Sequence, residues 1–257
     1  LHRKKVEKGY AESIDDVDKS TIFKPMLAKE FDLTRLQNKH DQVIWWSQPK
    51  LDGIRCIARA DGLWTRTGKP IHGVPHIWEA LAPRFDEDPD LIFDGELYNH
   101  DFCDDFNTIC SIVRTENPSI DELKVSRLLM QYHIYDTPSQ WLFNARCTEL
   151  EYQEQQLFDH DCIKFVETEP IQSTQHMDAL YKNYTHNGYE GQMIRVDGLY
   201  ENKRSFLLMK RKKFITKEFP LKAIEEGKGN WAGHAKRVVL EAPEGSTHRK
   251  PNGDIVP

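Results

Sequence analysis

From Phe23 onward the chain divides into short strand-like runs, QVIWWSQPK, IRCIARADGLWTRTG, LIFDGELY, YHIYDTP, GQMIRVDGLY and FLLMKRKKF, with helical stretches between some of them. The irregularity of that succession is the strongest constraint on the fold. Strict alternation of strand and helix would build a doubly wound parallel sheet, whereas neighbouring strands joined by tight turns must pair antiparallel, so the expected class is α+β with largely antiparallel sheets and flanking helices. The second run shows such a turn. Ile54, Cys56 and Ala58 alternate with Arg55, Ile57 and Arg59, Asp61-Gly62 reverses the chain, and Leu63 to Thr65 return as the partner strand. Amphipathic helices are expected at about 75–84, 105–114, 149–158 and 174–185. Thr148 with Glu151 reads as a capping box for the third, and Gly188 as a stop after the last.

A chain of 257 residues with 39% hydrophobic and 11% aromatic content can bury a full core. Three segments are expected: an extension or short helix over 1–22, a main domain over 23–217, and over 218–257 the strands and Gly-rich turns that begin a β-rich domain without completing it. The formal charge of −6 argues against a protein that simply coats nucleic acid, because Lys and Arg supply most non-specific affinity for phosphate. Any such contact must come from a local patch. Lys203, Arg204, Lys210, Arg211, Lys212 and Lys213 form one without an intervening acid, while Asp86 to Asp105 is densely acidic. Cys56, Cys103, Cys110, Cys147 and Cys162 are odd in number and never spaced CxxC, which points to a reducing, intracellular compartment and away from a disulfide framework or zinc site. No apolar run reaches bilayer-spanning length, so a soluble protein without membrane attachment is expected.

Four short segments carry chemistry. In PKLDGIR, Pro49 to Arg55, a lysine follows a strand; desolvation or neighbouring cations can free such an amine to act as a covalent nucleophile, Gly53 permits close backbone approach, and the planar fork of Arg55 suits phosphate or ribose oxygens. The same residues also read as a surface lysine beside an Asp-Gly turn. In FDGELY, Glu96 lies among apolar neighbours and needs a hydrogen-bond or metal partner, with Asp94 on the same face, although a solvated edge strand has this pattern too. Glu190 in YEGQMIRV would add a second carboxylate for Mg²⁺. In LLMKRKKF, Lys210 and Lys212 share one strand face and would suit a phosphate chain, or else discourage edge aggregation.

Taken in order, these segments resemble the successive motifs of the covalent nucleotidyltransferase superfamily, and from Pro25 to Phe214 the chain is most similar to ATP-dependent DNA ligases of the compact viral type. The resemblance implies an α+β, ATP-grasp-like nucleotidyltransferase domain followed by the start of an OB fold. It implies that Lys50 is adenylated by ATP, that Arg55 touches ribose and phosphate, that Glu96 holds the ribose or a metal, and that Glu190 is a Mg²⁺ ligand. Tyr135 in YHIYDTP would stack on adenine, Gln48 would read the adenine edge, and Lys210 with Lys212 would hold the α-phosphate. Arg66 in TRTGK would touch the 5′-phosphate of nicked duplex DNA, and the enzyme would act as a monomer. ATP is expected over NAD because the residues before the core leave little room for a nicotinamide domain. The family's last motif lies beyond what 218–257 can hold, which predicts slow self-adenylation.

Related readings remain open at this point. An RNA ligase or an mRNA-capping guanylyltransferase would share these motifs, and a non-catalytic nucleic-acid-binding domain could keep the fold. His133, His160, His176 and His186 share no face and read as ordinary histidines. NHDFCDDF reads as a solvated turn before a helix, and Trp45 and Trp46 as core aromatics.

Overall fold

The computed structural model describes residues 23–40, 43–103, 105–212, 218–229, 232–241, 248–249 and 255–256. The extension or helix expected over 1–22, together with Asp104, Lys213 and Phe214, lies outside the described residues. Backbone contacts divide the chain into two units at residues 213 and 214.

The first unit is built on two five-stranded sheets. One contains β1 (Leu27–Glu30), β2 (Trp45–Lys50), β8 (Glu169–Pro170), β9 (Gly191–Val196) and β10 (Arg204–Lys212), in the order β1-β10-β9-β2-β8. The other contains β3 (Ile54–Arg59), β4 (Gly62–Thr65), β5 (Phe93–Tyr98), β6 (Gln131–Asp136) and β7 (Ile163–Phe165), in the order β4-β3-β5-β6-β7. Every neighbouring pair is antiparallel except β1–β10 and β6–β7, as the turn-linked strands require. The chain passes from the first sheet to the second through Leu51–Gly53. At Gly53 a Cβ would fall 2.3 Å from the Leu97 carbonyl oxygen, so only glycine fits that passage.

Helices cover both sheets: α1 (Leu33–His40), α2 (Pro75–Glu87), α3 (Phe106–Arg114), α4 (Ile120–Leu129), α5 (Phe143–Gln156) and α6 (Thr174–His186). In α2 the i, i+4, i+8 series Ile77, Leu81 and Phe85 is buried in the main core with Cys56, Phe93, Leu97 and Ile134. Leu36 of α1 and Met177 of α6 form a second core with Ile194, Val196 and Met209. Each such large side chain, fully buried, contributes about 1.5–3 kcal/mol. Ser173 Oγ accepts from the His176 amide at 3.0 Å to start α6, and Gly188, at φ +86°, ends the turn that follows it.

Three helical expectations change. The third helix spans 143–156 rather than 149–158, and Thr148 and Glu151 lie inside it with no capping role. The buried stripe Phe143, Arg146, Cys147 and Leu150 extends the helix backward, so packing overrides the local cap signal. α2 continues through Pro83 to Glu87. α4 was not anticipated although Ser119 and Glu122 form a capping box at its start. Trp45 packs against the second core, and Trp46 meets Phe143 edge-on with ring centroids 6.1 Å apart, in line with the expected core roles.

In the second unit, β11 (Leu221–Glu226) pairs antiparallel with β12 (Ala235–Leu240), and β13 (His248–Arg249) with β14 (Ile255–Val256).

Candidate functional site

The antiparallel registers place three residues on one rung of the first sheet. Lys50 ends β2 opposite Gly191, and Lys212 ends β10 opposite the same Gly191. Glu190 immediately precedes that glycine, and its amide donates to the Lys50 carbonyl at 3.0 Å. Its carboxylate receives the ammonium groups of both Lys50 and Lys212. Burial alone would raise the Glu190 pKa, but the bonds from Lys212 and Lys50 win and hold it below the usual carboxylate range. Gly191 is required at the centre: a Cβ there would lie 2.0 Å from the Arg211 carbonyl oxygen. Lys50 is largely buried, its side chain 18% exposed, and so is not the free surface lysine that the motif alone allowed.

A cavity of about 250 Å³ opens beside this rung. Its lining includes Gln48, Lys50, Arg55, Arg66, Glu96, Tyr135 and Lys210, which brings together seven of the residues picked out from sequence. Glu190 and Lys212 join the group through Lys50. The alternation along β10 holds as expected: Lys210 faces the cavity and pairs with Glu30 at 2.8 Å, whereas Arg211, on the opposite face, bonds Asp178 at 2.6 Å and lies over Tyr181.

Arg55 lies across the ladder from Glu96. Its Nε donates to Asp94 Oδ1 at 2.8 Å, and NH1 donates to the Met26 carbonyl at 2.6 Å. The fully buried Asp94 also accepts from the Tyr200 hydroxyl at 2.7 Å. Most of the guanidinium is therefore used to hold Arg55 in place. Glu96 has a different environment. Burial pushes its pKa up to about 7, against the downward pull of Arg55 and Lys50, and the Tyr135 hydroxyl donates to it at 3.4 Å. Tyr135 brings an aromatic face to the cavity, with the Arg55 and Arg195 guanidiniums 5.8 and 5.5 Å from its ring centre.

Sequence reasoning missed Met193, Arg195 and Leu208, which also line the cavity, together with Arg204 of the basic patch. The signal for two of them was available: Met193 and Arg195 follow Gly191 at period two and so share its face. A second, larger groove of about 1070 Å³ shares Arg55, Arg66 and Glu96 with the first and adds Lys69, His72 and Arg114. Arg66 stands where the two meet. The histidines are used locally: burial, with Lys164 and His100 nearby, lowers the His133 pKa to about 4. Among the described residues no group of three or more His, Cys, Asp and Glu gathers to hold a metal.

A family model described as the ATP dependent DNA ligase domain matches residues 25–212. A DNA ligase of Enterobacteria phage T6 is 25% identical over 236 residues, an alignment that takes in 74% of this chain and 48% of that protein, so the chain spans about half the length of this curated relative. Among solved structures, one of a Lig E DNA ligase matches with a TM-score of 0.67 at 22% identity, over 91% of this chain and 83% of its own. The ATP-dependent DNA ligase from bacteriophage T7 in complex with ATP matches with a TM-score of 0.62 at 16% identity, over 91% and 80%. At these identities the structural likeness is one of fold.

Proposed function

The chain belongs to the ATP-dependent DNA ligase domain family, and from that premise we propose that it seals nicks in duplex DNA through an AMP adduct on Lys50. The observation that carries this reading is the rung itself, with the nucleophile and two attendant charged groups on adjacent strands beside a cavity that offers an aromatic face, a carboxyl and cations. In the first step Lys50 Nζ attacks the α-phosphorus of ATP. A P–N bond forms, the bond to the bridging oxygen of the β-phosphate breaks, and pyrophosphate leaves. Attack uses the amine's lone pair, so Lys50 reacts as the neutral amine, the proton lost on forming the P–N bond passes to solvent or to the leaving pyrophosphate, and Glu190, bound to Nζ, holds the nitrogen in place. In the second step an oxygen of the 5′-phosphate displaces Lys50 from the AMP phosphorus. In the third the 3′-hydroxyl attacks the 5′-phosphorus and AMP leaves.

Lys210 and Lys212 are assigned to the α-phosphate, where preorganised positive charge stabilises the transition state. Tyr135 stacks on the adenine ring, Arg55 and Glu96 face the ribose, and Arg66 meets the 5′-phosphate at the entrance to the second groove. The residues fit Mg²⁺. Asp52 is exposed, and partial desolvation followed by the charge of Glu190 raises its pKa while Lys50 and Lys212 pull it down; hard oxygen donors such as Asp52 and Glu190 suit that ion. Bound there, or at Glu96, it would offset charge on the phosphoryl oxygens. The two hairpin-like pairs of the second unit support assigning 218–257 to part of an OB fold. The free cysteines support a reducing, intracellular setting.

The test is to incubate the protein with labelled ATP or labelled GTP, isolate an acid-labile adduct and map it. AMP on Lys50 is expected, and its loss in Lys50→Ala. A GMP adduct would move the assignment to capping chemistry, and label at another residue would overturn the role of Lys50.

A further inference from the structure

Gln48 is 1% exposed and still lines the cavity, and the surrounding hydrogen bonds fix which end of its amide is which. Its Oε1 accepts from Arg195 Nε at 2.7 Å, and a guanidinium can only donate. Its Nε2 donates to the Tyr135 carbonyl at 3.0 Å, and a carbonyl can only accept. The second Nε2 bond goes to Thr168 Oγ1 at 2.7 Å, and the hydroxyl proton of Thr168 is itself committed to the Val166 carbonyl at 3.0 Å, so that oxygen too must accept. Arg195 is anchored by the buried Asp136, which Arg146 holds from the other side at 2.7 Å. Every donor and acceptor in this chain has one possible role. Both N–H groups of the Gln48 amide are therefore used, and its remaining capacity is a lone pair on Oε1.

We infer that Thr168 and Arg195 are positioning residues for base selection, holding Gln48 so that it presents an acceptor, and no donor, to the nucleobase. The inference rests on the nucleotidyltransfer reading above. A 6-amino group, as in adenine, can donate to that lone pair. A 6-oxo group, as in guanine, places acceptor against acceptor: Oε1 keeps its bond from Arg195, but the guanine oxygen meets a second lone pair and is left without a donor, which is the costlier mismatch. The selectivity thus comes from the amide's fixed orientation, and a residue that never touches the base contributes to it.

The experiment measures Lys50 labelling, as rate per unit of triphosphate, with ATP, GTP and purine riboside triphosphate, which lacks any 6-substituent. The unaltered chain is expected to prefer ATP over GTP by about 100-fold or more, with the unsubstituted purine between them. Thr168→Val frees one Nε2 proton, and the ATP-to-GTP ratio should fall by about tenfold, while Thr168→Ser keeps the hydroxyl and restores it. An unchanged ratio in a folded Thr168→Val overturns the inference. If that variant does not fold, the unaltered chain decides: purine riboside triphosphate reacting as fast as ATP means that no acceptor reads position 6. Absence of label from all three triphosphates overturns the nucleotidyltransfer reading, and this inference with it, before any variant is made.

Discussion

At the scale of single residues, Glu96 and Tyr135 are two cavity groups that burial holds away from their ordinary state. The folded protein keeps the Glu96 carboxyl protonated up to about pH 7, while the unfolded chain releases that proton near 4.5. The folded state therefore binds more protons between these values, and stability falls as pH rises through that window. Glu96→Gln escapes the loss. It should raise Tm by about 2–4 °C at pH 8 and leave it nearly unchanged at pH 4.5, allowing for partial solvation of the carboxyl by the cavity. Equal effects at both pH values in a thermal-melt series would contradict burial as the cause. Tyr135 tests the stacking assignment: Tyr135→Ala should raise the KM for ATP by about tenfold or more, and Tyr135→Phe by about threefold at most, because the hydroxyl makes only a long bond to Glu96. Equal losses would point to the hydroxyl. Lys50, Glu96, Glu190 and Lys210 were legible because the chemistry of each is carried by its own side chain within a short motif. The face of Arg195 could be read from its period-two spacing after Gly191, but its bond to Gln48, like that of Thr168, could not, because these partnerships exist only once β9 lies beside β2 and residue 168 is brought against Gln48.

At the scale of elements, the antiparallel class, the 54–65 hairpin and the strands bearing the motifs followed from alternation and turn chemistry. Helix boundaries did not. α5 begins six residues early because its buried stripe outweighs a cap pattern, and α4 is polar enough on its outer face that only its capping box betrayed it. The element most exposed to a single change is β9. Gly191→Ala would drive a methyl group into the backbone of β10, where no side chain can move aside, and overpacking of this kind costs about 1–3 kcal/mol or more. A drop in Tm of at least about 3 °C is expected, together with a loss of Lys50 labelling larger than the unfolding explains. A variant that labels at the normal rate would show that the rung tolerates displacement.

At the scale of the whole molecule, the proposed nick sealing asks a chain carrying a net charge of −6 to engage DNA through a few placed cations. On that proposal Arg66, Lys69 and Arg114, which line the second groove, would supply about three phosphate contacts. The slope of log affinity for nicked DNA against log salt is then expected at about −2 to −3, and Arg66→Ala with Lys69→Ala should flatten it by about 2. A slope steeper than about −6 would mean that most of the contact lies elsewhere. The rung at Gly191 has a consequence of another kind. Lys50 and Lys212 take their separation from the spacing of sheet strands, roughly 4.8 Å from one to the next, and not from the loops that connect them. A slip of one residue in β10 would exchange Lys212 for Arg211 opposite Gly191 and turn the charge that meets Glu190 to the other face. What a lineage has to transmit is therefore a pairing register and one glycine; the connecting segments are free to lengthen, shorten or drift in sequence while the reacting groups stay the same distance apart.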